Sequence, residues 1–422
     1  MSQARHYEMK DSGVEWIGKM PSNWQVKYLF QLASQVKNKN NDLREKNLLS
    51  LSYGKIKRKD IETTDGLLPA SFDGYNIIEE GDIVMRLTDL QNDHTSLRVG
   101  RATERGIITS AYTTVRPSKE TYPFLYLARH SFDVKKGFYG MGAGVRQGLN
   151  YGEVKKVLVP VPPLSEQTAI AAYLDEKCTT IDAIITETKA SIEEYKSWKA
   201  SVIFEAVTKG LDPNAEMKDS GVEWICMMPS NWQVKYLFQF VSQVKNKNND
   251  LREKNLLSLS YGKIKRKDIE TTDGLLPASF DGYNIIEEGD IVMRLTDLQN
   301  DHTSLRVGRA TERGIITSAY TTVRPAKETS PFLYLALHSF DVKKGFYGMG
   351  AGVRQGLNYG EVKKVLLPFP PANEQQTIVA YLNEKCAVID SIITEKEALI
   401  GELETYKKSL IFETVTGKRR VC

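Results

Sequence analysis

The chain repeats itself. Residues from Met9 onward recur from Met217, 208 positions later, so whatever fold the first half adopts the second must adopt as well. Lys10–Trp16 (KDSGVEW) returns as Lys218–Trp224. Between Met20 and Pro163 the copy departs only at Leu32/Phe240, Ala33/Val241, Ser118/Ala326, Tyr122/Ser330, Arg129/Leu337, Val159/Leu367 and Val161/Phe369. A period this long marks a tandem of domains rather than a solenoid. At 422 residues the chain also exceeds one ordinary core.

Each copy ends in a long helical pattern. Pro160, Pro162 and Pro163 force extended backbone, Ser165 stands where an N-cap belongs and Glu166 falls in the first turn. Apolar positions then follow at alternating spacings of three and four: Ala171, Leu174, Cys178, Ile181, Ile185, Ile192, Tyr195, Val202 and Ala206, with polar breaks at Thr188 and Lys199. A helix from Glu166 to Thr208 would be about 64 Å long, stopped by Gly210 and Pro213. Behind Pro368, Pro370 and Pro371, Asn373 and Glu374 open the second pattern, carried by Val379, Leu382, Cys386, Ile389, Ile393, Ile400, Leu403 and Leu410 with breaks at Lys396 and Lys407. So narrow a seam on so long a helix needs a partner helix, and each copy is the obvious partner of the other; packing of each helix on its own globule would call for a wider apolar face. The expected domains are 1–163, a globule; 164–213, a helix; 214–371, a globule; and 372–422, a helix.

Charge separates these parts. Met20–Pro163 holds 21 lysines and arginines against 15 acidic residues, and Met228–Pro371 holds 20 against 15, whereas Leu164–Glu216 holds 5 against 10. Basic globules point to a polyanionic partner. The absence of a long apolar run or a signal peptide leads us to expect a cytoplasmic protein with no membrane partner. Cys178, Cys226, Cys386 and Cys422 form no CxxC, which implies a reducing compartment and no metal.

Within the globule, strands outnumber helices, an α+β pattern. Leu48–Tyr53 alternates like a strand and runs into the basic Lys55–Lys59, a strand edge or hairpin. Ile83–Leu87 reads as a buried strand, Thr88–Gly106 as a polar loop, Ile107–Arg116 as a strand, Phe124–Phe132 as a short helix and Val154–Val161 as a last strand. The glycine-rich Gly137–Gly148 has no dinucleotide or P-loop register. Its small residues would allow close approach to a phosphate chain, with Arg146 and Gln147 reaching out; arginine and glutamine pair bidentately with guanine and adenine edges.

Catalytic motifs are missing. The five histidines show no ligand spacing, and neither GxSxG nor a methyltransferase-type NPPY occurs. The one nuclease-like set is Asp133 with Glu153 and Lys155, which in principle could hold Mg²⁺ and orient water. No cofactor is expected.

The paired KDSGVEW entries, the paired PPxxEQ helix starts at Pro162–Gln167 and Pro370–Gln375, and the globule–helix alternation together resemble the DNA-specificity subunit of type I restriction-modification enzymes. The resemblance covers nearly the whole chain. It implies a non-catalytic subunit with two target-recognition globules, each reading half of a bipartite site. It also implies two long helices forming an antiparallel coiled coil that spaces the globules and docks two methyltransferase subunits, with restriction subunits as further partners where present. Such subunits normally carry two different recognition domains; here the two are nearly the same. Like heads on an internal pseudo-two-fold match the dyad of duplex DNA, so an inverted-repeat target is expected.

The residues expected to meet DNA are Arg86, Arg98, Arg101, Arg105, Arg146 and Gln147, with Lys55, Lys57 and Arg58 on phosphates. Their mates are Arg294, Arg306, Arg309, Arg313, Arg354 and Gln355, with Lys263, Lys265 and Arg266. Two rival readings are a Mg²⁺-dependent nuclease using Asp133, Glu153 and Lys155, and a coiled-coil scaffold whose globules bind protein.

Overall fold

The structure, a computed structural model, describes residues 8–62, 69, 71–93, 95–139, 141, 148–270, 277, 279–301, 303–347, 349 and 356–421. It divides into two units: Met1–Thr188 with Glu397–Cys422 (unit 1), and Lys189–Lys396 (unit 2).

Unit 1 contains β1 (Met9–Asp11), β2 (Lys19–Pro21), β3 (Gln25–Tyr28), β4 (Ala33–Gln35), β5 (Leu49–Ser52), β6 (Lys55–Arg58), β7 (Asn76–Ile78), β8 (Ile83–Met85), β9 (Val99–Arg101), β10 (Gly106–Ile108), β11 (Thr113–Pro117), α1 (Tyr122–Val134), α2 (Tyr151–Val154) and β12 (Leu158–Val161), followed by the first part of α3 (Leu164–Lys209). The strand ladders are antiparallel: a four-stranded sheet in the order β4-β11-β8-β9, and the pairs β1-β2, β3-β12, β5-β6 and β7-β10; an isolated parallel bridge joins Leu48 to Ile107. Unit 2 repeats these strands 208 residues later, with α4 (Ser330–Val342), α5 (Tyr359–Val362) and the first part of α6 (Ala372–Val415). Both units are thus α+β.

Three stretches differ from the sequence expectation. The polar Thr88–Gly106 contains β9, whose Val99 is fully buried beside Arg98. Ile107–Arg116 divides into β10 and β11 at a turn closed by Tyr112 N–H donating to Thr109 O, 3.2 Å. Val154–Val161 divides into the end of α2 and β12, because Asn150 and Glu153 cap a short helix reciprocally. Elements of three or four residues are too short to show a period.

The long helices run further than the heptads suggested, 46 residues for α3 and 44 for α6. Helix α3 begins right behind its prolines, with Gln167 N–H donating to Pro163 O, 3.0 Å. It ends at Gly210, whose positive φ (75°) closes the last turn against Trp232.

Each unit holds an antiparallel pair of helix segments. In unit 1, Asp182 accepts from Lys407 Nζ at 2.6 Å, and Tyr173, earlier in α3, hydrogen-bonds Arg419, beyond the end of α6. Ile181 and Ile185 share one core with Leu410, Ile411 and Val415 and with the globule residues Trp24, Phe124 and Val159. In unit 2, Lys199 Nζ reaches Asp390 at 2.7 Å and the ammonium of Lys396 stands 5.6 Å from the Tyr195 ring, again opposed in direction. The polar breaks therefore have uses. Lys199 and Lys407 leave the seam for an aspartate on the facing helix. Thr188 is buried, and its hydroxyl donates to Ile184 O at 2.7 Å.

The PPxxEQ signature is held at the helix roots by the globule. Trp24 Nε1 and Asn23 Nδ2 donate to the two carboxylate oxygens of Glu166, at 2.8 and 2.7 Å, while Gln167 Nε2 donates to Pro162 O at 2.9 Å. Trp232, Asn231, Glu374, Gln375 and Pro370 repeat this clamp in unit 2. In unit 1 the end of α6 arrives at the same tryptophan: a side chain on Gly417 would strike Pro21 and approach Trp24. The tryptophans thus join each globule to its helices as well as filling its core.

Candidate nucleic-acid interface

The β5–β6 hairpin confirms the strand-then-basic-strand reading and fixes its faces. Its register pairs Ser50 with Lys57, Leu51 with Ile56 and Ser52 with Lys55. Leu49 and Leu51 are buried, with Ile56 packed beside them, in a small core with Ile78, Val84, Ala102 and Ile108. Strand alternation then puts Ser50, Ser52, Lys55 and Lys57 together on the outer face. Gly100 of β9 lets the hairpin sit close, since a Cβ there would lie 2.5 Å from Leu51 Cδ1. Ser50 and Ser52 were not among the expected DNA contacts, although the alternation in LSLSYGKIKR marks their face. Lys263 and Lys265 stand on the matching hairpin of unit 2, paired with Ser260 and Ser258.

Most of the expected arginines form ion pairs. Arg58 donates through Nε to Glu104 at 2.9 Å, and Glu104 also accepts from Asn47; this arginine holds the half-buried carboxyl of Glu104 below its ordinary range. Arg105 donates to Glu45 at 2.9 Å and to Glu79. Arg86 reaches Asp93 at 3.4 Å, and hydrogen bonds from Ser96 hold the Asp93 carboxyl far below the usual carboxylate range. Arg101 lies over the Tyr126 ring, 5.7 Å from its centroid. In unit 2, Arg266 pairs with Glu312, Arg313 with Glu253 and Glu287, and Arg294 with Asp301. Arg309 there donates to Ser330 Oγ at 3.1 Å.

Arg98 and Arg306 need correction. Each is fully buried. The Arg98 guanidinium donates to Tyr139 Oη at 3.0 Å, Thr88 O at 2.7 Å and Asp89 O at 3.1 Å, pinning the loop between β8 and β9 from inside. Arg306 does the same with Tyr347, Thr296 and Asp297. Guanidiniums enclosed in this way do not reach a base edge. Arg146, Gln147, Arg354 and Gln355 lie outside the described residues.

The carboxylates of the nuclease-like set are taken up by backbone N–H groups. The buried Asp133 carboxylate accepts from the backbone N–H groups of Arg98 and Val99, at 2.5 and 3.2 Å, and burial pushes its pKa up. Glu153 closes the capping box with Asn150, accepting from its backbone N–H at 2.8 Å. Both carboxylates thus have structural duties, and among the described residues no group of three or more His, Cys, Asp or Glu side chains gathers as metal ligands. Among the same residues no helix is long and apolar enough to cross a membrane.

No family model matches the chain. A curated relative from Methanocaldococcus jannaschii, "Putative type I restriction enzyme MjaX specificity subunit", is 23% identical over 425 residues, covering 96% of each chain. A solved chain described under "Structural basis underlying complex assembly and conformational transition of the type I R-M system" superimposes with a TM-score of 0.64 at 15% identity, covering 95% of this chain and 99% of that one. The HsdS subunit from Thermoanaerobacter tengcongensis aligns at a TM-score of 0.47 and 13% identity, too distant to add weight. The chain is thus similar along almost its whole sequence to a curated type I restriction-modification specificity subunit, and it shares the fold of a chain from a type I R-M system.

Proposed function

We propose that each unit reads one half of a bipartite duplex DNA target and that α3 and α6 dock two methyltransferase subunits in the cytoplasm, in a complex that restriction subunits join where they are present. The chain serves these enzymes as a non-catalytic specificity subunit. The observation that carries the reading is the duplication itself: two nearly identical basic globules, each packed with an antiparallel pair of helix segments. Two further features support an inverted repeat as the target. The heads are nearly the same, and the exchange is reciprocal, each unit including the last part of the helix that begins in the other. On this reading 1–163 and 214–371 recognise DNA, while 164–213 and 372–422 are spacer helices.

Lys55, Lys57, Lys263 and Lys265 are the proposed phosphate contacts. Arg58, Arg86, Arg101 and Arg105, with Arg266, Arg294, Arg309 and Arg313, would exchange surface partners for DNA. Arg146, Gln147, Arg354 and Gln355 remain proposed base readers. Arg98 and Arg306 leave the set.

The test is a salt titration of the full-length chain, assembled with its methyltransferase, on duplex DNA. Each phosphate-contacting lysine changed to alanine, Lys57→Ala or Lys265→Ala, should lower the log–log salt slope by about one without changing sequence preference. No retention on duplex DNA at low salt would overturn the proposal. Cutting of DNA by the chain alone in Mg²⁺ would do so in favour of the nuclease.

A further inference from the structure

The β5–β6 hairpin turns on two residues, Tyr53 and Gly54, and both have positive φ, 46° and 77°. Two-residue turns with both residues left-handed favour Asn-Gly. Glycine fits the second position, where an added Cβ would stand 2.9 Å from Leu97 Cβ. Tyrosine at the first position is a bulky residue held in a conformation that L side chains seldom adopt. The globule does not offset that strain by burying the ring, which is 73% exposed, as is Tyr261 at φ 48° in unit 2. The hairpin beneath is fixed by Leu51 and Ile56 against Gly100, so the ring is held out on a firm support. Beside it, Lys55 and Lys57 project from the outer face, and among the described residues no ion pair engages either one.

A partner that offsets the strain must accept an aromatic ring flanked by cations and hydroxyls. The major groove of duplex DNA admits a two-stranded ribbon, with phosphates on both sides and base edges at its floor. We infer that Tyr53 and Tyr261 are DNA-contacting residues: each ring lies in the major groove against base edges while Lys55 and Lys57, or Lys263 and Lys265, hold the flanking phosphates. The ring face suits a thymine methyl, and the hydroxyl suits a base-edge donor or acceptor. This inference rests on the function proposed above and adds a specificity-determining residue to each head.

The test uses the full-length chain and a duplex that the wild-type protein itself selects from a random-sequence pool. The variants are Tyr53→Asn with Tyr261→Asn, and Tyr53→Phe with Tyr261→Phe. Asparagine tolerates positive φ, so the hairpin should survive and the Tm should equal or exceed that of wild type. The double asparagine variant should bind the selected duplex at least about tenfold more weakly, while random duplex is bound as before; the phenylalanine variant should retain most of the affinity. Irradiation of the bromouracil-substituted selected duplex should cross-link the peptide containing Tyr53 or Tyr261. Wild-type affinity of the asparagine variant for the selected duplex would overturn the inference, as would an equal loss on selected and random duplex. A wild-type chain that enriches no duplex, or that captures an acidic protein instead, would remove the proposed function and this inference with it.

Discussion

Unit 1 and unit 2 bury different residues at one equivalent place. Arg129, against Phe132, Phe138 and Met85, is fully buried; so is Leu337, in the core that includes Phe340, Phe346 and Met293. The Arg129 guanidinium lies 5.0 Å from each ring centroid and reaches Met85 Sδ at 3.9 Å; among the described residues its Nε and Nη1 have no hydrogen-bond partner. Burial lowers its pKa to about 9, which still leaves it charged at neutral pH. Two aromatic faces compensate only part of the lost hydration. One fold thus tolerates a cation where its twin has an aliphatic side chain, and the two units should differ in stability with almost no difference in shape.

Exchanging the residues sharpens that contrast. Leu337→Arg should destabilise unit 2 by about 3–5 kcal/mol, the cost of an uncompensated buried charge. Arg129→Leu should stabilise unit 1 by about 1–4 kcal/mol, since unit 2 shows that leucine packs in these surroundings. Differential scanning calorimetry of the full chain reads both as shifts of one of two transitions. Equal transitions in all variants would break the comparison.

Acidification tests a property the units share. His130 and His338 are half-buried with Nδ1 enclosed, and desolvation first, then nearby lysines, lowers their pKa to about 4; the lysines are Lys407 and Lys408 for His130 and Lys199 for His338. An unfolded histidine takes up its proton near 6.5, so stability present above that pH is lost as pH falls towards 4. Asp341, raised to about 6 by burial, acts in the opposite sense from about 6 down to 3.8, so the histidine effect stands clearest just above pH 6. Denaturant midpoints across pH should show this loss in wild type and less of it in His130→Gln with His338→Gln.

The smallest expected effect lies on the helices. Lys199→Ala and Lys407→Ala each remove one half-exposed ion pair, with Asp390 or Asp182, and each should cost only about 0.2–1 kcal/mol. The two losses should match, because both pairs have the same geometry.

Globule and helix also differ in what the sequence disclosed. The heptads revealed both helices and their need for partners, because a seam such as Leu174, Cys178, Ile181, Ile185 and Ile192 has a period. All five recur unchanged as Leu382, Cys386, Ile389, Ile393 and Ile400, while exposed neighbours such as Thr179 and Thr180 have become Ala387 and Val388. The basic hairpin was legible for the same reason, through its alternation. The fate of the arginines was not. Arg98 stands in a polar stretch like Arg101 and Arg105, and only the folded loop shows that its partners are carbonyls at Thr88 and Asp89. Likewise, Asp133 looks like a candidate metal ligand until the backbone N–H groups of Arg98 and Val99 are seen to use it. Side-chain chemistry names what a residue could bind; long-range pairing decides what it does bind.

The most direct measurement of the central claim is the base sequence methylated in cells that carry this chain with its methyltransferase, read along single long molecules. Two nearly identical heads predict one short sequence and its reverse complement on either side of a gap of unspecified bases. Two unrelated half-sequences, or a single uninterrupted one, would contradict it.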